Sequence, residues 1–215
     1  MSDRPQNETT PEQGYAKSRE TRARILAAAL EEAGESGLQK TSMSRVAMRA
    51  GVAQGSLNYH FGSRAELIRE LMLQLVSDYL PHAQSVESAE AAEGGDFFAR
   101  ERAVLLAYVA YVRKHPVFVR LSDEIRMLEP EMAREREHES VERFVTRLRS
   151  GIDEGSVRPL DERDLWLKSR FMLGVRHTLE EIALTESDLH DAEIVDAYLD
   201  MLRSGLAPRD SHVLN

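Results

Sequence analysis

A short stretch of the chain is crowded with side chains that can pair with the edges of nucleic-acid bases. Gln54 and Asn58 carry amides, and an amide of this kind can make two hydrogen bonds to adenine. Ser56, Tyr59 and His60 add hydroxyl and imidazole groups beside them. We predict that these residues contact DNA; the alternative is that they are solvated side chains beside a turn.

Residues that would indicate an enzyme or a metal site are sparse. Glu135 and His138 have the spacing of helical metal ligands, but di-iron bundles need a second such pair, which the sequence lacks. The chain has no cysteine, no phosphate loop and no glycine fingerprint. We therefore predict no enzyme activity, no catalytic residue, no metal and no cofactor, with Glu135 and His138 on a solvated charged face.

Three cationic or titratable residues, Arg170, Arg176 and His177, interrupt an otherwise apolar helical segment. A cation that faces a protein interior must be paired or must meet a ligand anion. One interpretation is an ion pair with Glu180, Glu181 or a residue of another helix. The other is a small-molecule pocket in which Arg176 or His177 addresses a polar group, and its predicted lining is Tyr108, Tyr111, Phe118, Met127, Phe144 and Met172.

The segment that must position the base-pairing residues is Thr41–Leu67. Two short helices fit here, about residues 42–50 and 53–60, with a tight turn at Gly51. Glycine enters the left-handed conformation that ends a helix without steric cost. The second helix is too short to be stable alone, so it must pack on neighbours. Helix, glycine turn, helix is the arrangement that places a second helix in the DNA major groove.

A longer pattern at fixed offsets runs through this segment and the helices beside it. Its residues are Arg22, Ile25, Leu26, Ala28, Ala29, Gly37, Thr41, Val46, Ala47, Ala50, Gly51, Val52, Gly55, Ser56, Leu57, Tyr59, His60, Phe61, Ser63, Arg64, Glu66 and Leu67. The pattern resembles the N-terminal domain of the tetracycline-repressor (TetR) family of bacterial transcriptional regulators. The resemblance covers about Lys17 to Leu71, roughly a quarter of the chain.

The resemblance implies which side chains meet DNA. The implied contacts are Thr41, Ser42, Gln54, Gly55, Ser56, Asn58, Tyr59, His60 and Arg64. Thr41, Ser42, Tyr59 and Arg64 are better placed for phosphates, and Gly55 lets the backbone approach closely. Arg64 stands where the family usually has lysine, and Asn58 stands where it often has tyrosine. Which of Asn58 and Tyr59 contacts a base is therefore open.

Charge is unevenly distributed along the chain. The net charge is −9, but Lys17–Arg64 holds eight Lys or Arg against four Glu, and the part from Ala65 onward carries −11. A local basic surface and an acidic body would orient the protein on DNA. Four cations, Lys17, Arg19, Arg22 and Arg24, fall in the first turns of the predicted first helix, where they oppose the helix dipole. A phosphate would relieve that conflict; a solvated basic end is the alternative.

The remaining pattern predicts an all-α fold. We expect a disordered tail at 1–16, a helix-turn-helix domain at 17–64, and a helical ligand-binding and dimerisation domain at 65–215. Pro81 is expected to end the helix that starts near Gly62, and Gly94-Gly95 to break whatever follows it. Later helices are expected at about 96–114, 116–128, 130–150, 161–184 and 188–205. With no secretion signal and no membrane-length apolar run, we expect a cytoplasmic protein.

The last helix carries a broad apolar stripe made of Leu189, Ile194, Val195, Tyr198, Leu199 and Leu202. It can be internal core, but in the family the equivalent helix pair meets its two-fold mate. A homodimer also provides the two recognition helices, one DNA turn apart, that a palindromic operator needs. Together with this geometry, the resemblance implies a repressor that a small-molecule effector releases from operator DNA. The alternative is an architectural or partner-binding DNA protein without an effector.

Overall fold

The computed structural model describes residues 11–208, except the side chains of residues 11–14, Val76 and Asp78. Within this range the chain forms α-helices, one short 3₁₀ helix at Leu38–Lys40 and no β-strand, which confirms the predicted all-α class. The helices are α1 (Pro11–Ser36), α2 (Met43–Ala50), α3 (Gln54–Phe61), α4 (Arg64–Ala92), α5 (Phe97–Lys114), α6 (Pro116–Leu128), α7 (Pro130–Asp153), α8 (Glu162–Thr185) and α9 (Asp191–Leu206).

Helix α1 starts earlier than the sequence pattern suggested. It begins at Pro11 rather than Lys17; residues 1–10 of the predicted tail lie outside the described range. Proline suits a first helical turn, because its missing N–H would have no partner there in any case. The four cations from Lys17 to Arg24 therefore lie beyond the first turn, where the helix dipole has little effect. The predicted conflict with the dipole was wrong.

Pro81 does not end α4, contrary to expectation. The helix continues through it to Ala92 and stops only before Gly94, whose φ is 83°. The missing backbone hydrogen bond and ring clash of an internal proline cost about 3 kcal/mol. Tyr79 and Ala83 on either side of it are buried in one apolar cluster, and this burial favours a continuous helix. The predicted break at Gly94-Gly95 is confirmed.

The chain divides into two compact units between Gln74 and Leu75, ten residues beyond the predicted boundary and inside α4. The first unit is built on α1–α3 and the start of α4, and its core includes Ile25, Ala29 and Leu57. The second unit contains two apolar clusters. One joins α4, α5, α8 and α9, and the other surrounds Phe97 and Phe98.

The apolar stripe of α9 belongs to the internal core. Ile194, Val195 and Leu199 are buried in the cluster that contains α5 and α8, and Tyr198 and Leu202 pack against it. The stripe is therefore not a free surface for a second subunit. Leu189 of the predicted stripe precedes α9 and is exposed. The exposed large apolar side chains on the last two helices are Trp166, Phe171 and Leu184 on α8 and Met201 on α9.

No helix in the described part of the chain is long and apolar enough to cross a membrane.

Gly151 provides a test of the packing in the second unit. A Cβ placed there would lie 2.7 Å from Val157 Cγ2 and 3.0 Å from Phe97 Cβ. We expect Gly151→Ala to lower the free energy of unfolding by about 1–3 kcal/mol through overpacking, measured by chemical denaturation. Gly205→Ala is the control, because a Cβ there meets nothing within 4 Å. Equal stabilities of the two variants would contradict the close packing of Gly151 against Val157 and Phe97.

Candidate nucleic-acid interface and cavity

The two short helices form with the turn chemistry that the sequence indicates. The side chain of Ser42 caps α2 by accepting a hydrogen bond from Arg45 N, at 3.3 Å. Gly51 ends α2 in the left-handed conformation with φ 62° and ψ 38°. Helix α3 follows after two residues and is anchored by Leu57 and Phe61, both of which are buried. An eight-residue helix thus keeps its fold through packing.

The opposite face of α3 is open to solvent. Gln54, Gly55, Asn58 and Tyr59 are all exposed, and Tyr59 reaches 84%. Positions 54 and 58, and positions 55 and 59, are each one helical turn apart, so the four lie on one face. A Cβ at Gly55 would meet nothing within 4 Å, so the space above this position is open.

Ser56 and His60 lie at the edge of this face and are partly buried. The His60 ring lies 5.4 Å from the Tyr59 ring, centroid to centroid, in an edge-on arrangement. The amide and hydroxyl groups of the exposed face remain available to a partner. We name this surface, made of Gln54, Gly55, Asn58 and Tyr59, the outer face of α3.

Thr41 and Arg64, which were predicted to contact phosphates, donate hydrogen bonds to main-chain carbonyls of this chain. Thr41 is buried, and its Oγ1 donates to Gly37 O at 2.9 Å. Arg64 donates from Nε to Thr41 O at 3.1 Å and from Nη2 to Leu38 O at 2.6 Å. Its guanidinium thus ties the start of α4 to the 3₁₀ segment before α2. Through these hydrogen bonds both residues help to position the two short helices.

The basic residues of α2 are largely neutralised by three glutamates of α1. Glu32 is only 3% exposed, and its Oε1 lies 2.5 Å from Arg45 Nη2. Its Oε2 accepts from Arg49 Nε at 3.2 Å. Arg49 also pairs with Glu35 and lies 3.6 Å from Glu31 Oε2. The carboxylates raise the pKa of Arg49, and the hydrogen bond from Arg49 lowers the pKa of Glu35.

The basic surface is therefore narrower than the sum of charges suggests. Arg22 pairs with Glu70 at 2.7 Å, and its guanidinium lies 5.1 Å from the centroid of the Phe61 ring. Four exposed cations, Lys17, Arg19, Arg24 and Lys40, make no ion pair with any described residue. Exposed cations of this kind are able to bind an anion such as phosphate.

The second unit contains a cavity of about 370 Å³. Its lining comes from four helices: Tyr79, Leu80, Ala83, Gln84 and Glu87 of α4, Val104 of α5, Ser140, Glu142, Arg143, Phe144, Thr146 and Arg147 of α7, and Arg176 of α8. Only Phe144 and Arg176 belong to the predicted lining. Ala83, Gln84 and Glu87 were missed because the helix was expected to end at Pro81, whereas Tyr79 and Leu80 were inside the predicted helix but were not assigned to the pocket. A possible signal for the α7 residues was the one-turn spacing of Arg143 and Arg147 beside Phe144.

The other predicted lining residues lie elsewhere. Met127 is 81% exposed on α6, and Met172 is buried in the cluster around Phe97. Tyr111 and Phe118 make an edge-to-face contact with each other, 5.3 Å between ring centroids. Both pack against the apolar cluster that joins α4, α5, α8 and α9. These residues lie in the core or on the surface, and they do not line this cavity. Helical spacing alone does not distinguish a cavity lining from core or surface.

Tyr108 and His177 are engaged by a carboxylate of α8. Tyr108 is buried beneath Arg176, and its hydroxyl donates to Glu180. Burial, and then the charge of Glu180, hold the pKa of Tyr108 well above its usual value. His177 is exposed, with its Nδ1 3.4 Å from Glu180 Oε2. Arg170 pairs with Glu137 at 2.6 Å, so the ion-pair interpretation is confirmed for this arginine.

The first unit presents two short helices with a solvated polar face, and the second unit is helical and contains a cavity. This arrangement is typical of helix-turn-helix regulators. The family described as "Bacterial regulatory proteins, tetR family" matches residues 25–71. The match covers the segment that holds α2 and α3, so this part of the chain is similar to the TetR-family DNA-binding domain. This family consists of regulators, in agreement with the expectation that the chain is not an enzyme.

The chain is also similar to individual relatives, and it shares its fold with solved structures. TtgR of Pseudomonas putida is 34% identical over 73 residues, which are 33% of this chain and 35% of TtgR, so the chain matches about a third of that relative's length. UidR of Escherichia coli is 28% identical over 160 residues, 74% of this chain and 76% of UidR. FadR of Bacillus subtilis, solved in complex with stearoyl-CoA, has a TM-score of 0.70 and 17% identity, covering 85% of this chain and 98% of that one.

Glu32 provides a test of how the two short helices are positioned. Glu32→Gln replaces the buried carboxylate with an amide. The amide has one acceptor oxygen, and its NH2 group would face one of the two arginines of α2 that now donate to Glu32. We expect the free energy of unfolding to fall by about 1–3 kcal/mol, measured by chemical denaturation. Glu31→Gln is the control, since its side chain is 65% exposed. An effect of Glu32→Gln no larger than that of the control would contradict this role.

Proposed function

We propose that the chain is a DNA-binding transcriptional regulator, specifically a homodimeric repressor that a small-molecule ligand releases from a palindromic operator. The observation that carries the proposal is the outer face of α3. Its polar groups are solvated, while the same helix is anchored from behind by Leu57 and Phe61. A major groove admits one α-helix, and an amide there reads adenine.

The proposal assigns two kinds of contact. Gln54 and Asn58 read bases, with Ser56 and His60 at the edge of the same surface. Tyr59 and Ser42 meet phosphates, together with the exposed cations Lys17, Arg19, Arg24 and Lys40. Gly55 allows the backbone to approach. The cytoplasmic location expected for this chain follows from the proposal, because the operator DNA lies there.

Release requires a ligand with different affinities for two states of the dimer. The cavity of the second unit is the proposed ligand site. Helix α4 supplies Tyr79, Leu80 and Ala83 to it and begins at Arg64, beside α3 in sequence. The B. subtilis FadR complex supports the idea that a protein of this fold can bind a small molecule.

DNA reading can be tested by selecting binding sites from a random pool of duplex DNA. We expect a palindrome whose half-sites are one helical turn apart, about 34–36 Å. Gln54→Ala and Asn58→Ala should each change the preferred base at particular positions, by about 1–3 kcal/mol. Gln39→Ala, outside α3, should leave the preference as it is. If the unaltered chain enriches no sequence, the proposal fails.

Dimerisation is proposed through the exposed apolar residues of the last two helices. Phe171 is 70% exposed and Met201 is 75% exposed. Gly174 and Thr178 lie on the Phe171 face of α8, at the third and seventh positions after it, and allow close approach of a second helix. A surface of this kind is typical of a subunit contact.

Light scattering after gel filtration tests this contact. We expect Phe171→Glu and Met201→Glu to shift the protein toward monomer, because each would bury a charge in an apolar interface. Both should also weaken operator binding, since two linked recognition helices bind more tightly than one. Met127→Glu is the control, as that side chain is similarly exposed but lies on α6. Dimers that persist in both α8 and α9 variants would exclude this surface.

A further inference from the structure

Arg176 is the most unusual residue of the cavity. Its guanidinium lies between two aromatic rings, 4.9 Å from the Tyr108 centroid and 5.1 Å from the Phe144 centroid. Its Nε is buried and has no hydrogen-bond partner. No carboxylate among the described residues lies within ion-pair distance of it. An arginine is always charged, and a buried charged donor left unsatisfied is costly.

The acidic residues near Arg176 have other partners. Glu180, one turn further along α8, accepts from the Tyr108 hydroxyl and from His177. Glu87 lines the cavity, but its Oε1 accepts Arg147 Nε at 2.9 Å. Glu142, the other acid of the lining, is exposed. The protein therefore supplies Arg176 with π-faces but with no anion.

Arg147 shows how this fold treats a cation that is part of the structure. Its Nη2 lies 2.6 Å from Oε2 of Glu101, which is only 1% exposed, and its Nε meets Glu87. Arg147 is one turn along α7 from Arg143 and lines the same cavity. Two carboxylates neutralise Arg147, whereas Arg176 has none, and this contrast separates a structural arginine from one that is available to a ligand.

A second cation faces the same space. Arg143 lines the cavity and donates from Nη2 to the neutral Ser140 Oγ at 2.8 Å. Burial lowers the pKa of Arg143, followed by the positive charge of Arg136, and Arg176 adds to the effect while Glu139 opposes it. Arg143 is exposed, so solvent reaches it, and the two arginines place like charges on the lining of one cavity. A bound anion would be attracted by both charges.

The rest of the lining is apolar. Tyr79, Leu80, Ala83, Val104 and Phe144 contribute aliphatic and aromatic surface, and the volume of about 370 Å³ is in the lower part of the range for small-molecule sites. An inorganic ion would leave this surface unused. A neutral molecule would leave Arg176 without an anionic acceptor.

We propose that the cavity binds a small organic anion, with its negatively charged group on Arg176 and Arg143 and its apolar body against α4 and Phe144. This inference rests on the proposed function, because it names the chemical class of the effector. Bonds from a charged acceptor to a guanidinium are about twice as strong as neutral ones. The anion would join α4, α7 and α8 around one charge, so its binding would favour one arrangement of these helices.

A pair of fluorescent probes that differ by one charged group tests the inference. Anilinonaphthalene sulfonate and phenylnaphthylamine share one ring system, but only the first carries an anion. With the full-length protein we expect one sulfonate site per chain and an affinity at least about tenfold higher than for the neutral probe. Arg176→Met should lower the sulfonate affinity about tenfold or more and leave the neutral probe within about twofold.

Two further variants keep the test decisive. Arg176→Lys retains the charge and should retain part of the preference for the anion, while Arg134→Met, an exposed arginine of α7 outside the lining, should change neither probe. Circular dichroism melts establish that each variant is folded. Equal affinity for the two probes, or an Arg176→Met variant that binds the sulfonate as the unaltered chain does, would overturn the proposal.

Operator binding is measured separately, so the two proposals fail independently. A chain that selects a DNA palindrome but does not distinguish the probes would remain a regulator whose effector is not anionic. A chain that binds the sulfonate through Arg176 but enriches no DNA sequence would retain the anion site and lose the regulatory function.

Discussion

The burial of Leu57 and Phe61 is the constraint on which the first unit depends. Helix α3 has eight residues, fewer than a helix needs to persist in water, so its shape comes from the surface beneath it. The two anchors use one side of the helix, and the other side is then free for polar groups that need no partner within the chain. The same packing that makes α3 stable therefore exposes Gln54 and Asn58.

Charge pairing acts as a second layer of positioning. Glu32 is buried between α1 and α2 and holds Arg45 and Arg49, while Arg64 donates to carbonyls before α2. These arginines would look like phosphate donors in a count of charges. Their contacts within the protein instead orient the two short helices, and the exposed cations of α1 and the 3₁₀ segment are left to interact with an external anion.

The second unit contains one arginine that is paired with carboxylates and one that is not. Arg147 is neutralised by Glu87 and Glu101, so it contributes to the fold without attracting a ligand. Arg176 lies between two rings with its Nε unsatisfied. A cation–π sandwich compensates part of the cost of desolvating a guanidinium but provides no acceptor for its N–H groups. The difference between these two arginines gives the cavity its chemical character.

The sequence by itself determined the all-α class, the glycine turn at Gly51 and the break at Gly94, because these follow from local backbone preferences and helical periodicity. It also located α3 to within a residue at each end.

Local rules were misleading at Pro81, where burial of Tyr79 and Ala83 outweighs the cost of a proline inside a helix. They also gave no indication that Thr41 and Arg64 donate to the main-chain carbonyls of Gly37, Leu38 and Thr41, because no residue pattern reveals such partners. Only the tertiary structure decided that the α9 stripe is core and that Arg176, rather than Arg147 or Arg170, lacks a carboxylate, because ion pairing depends on which helices meet and on distances of a few ångströms.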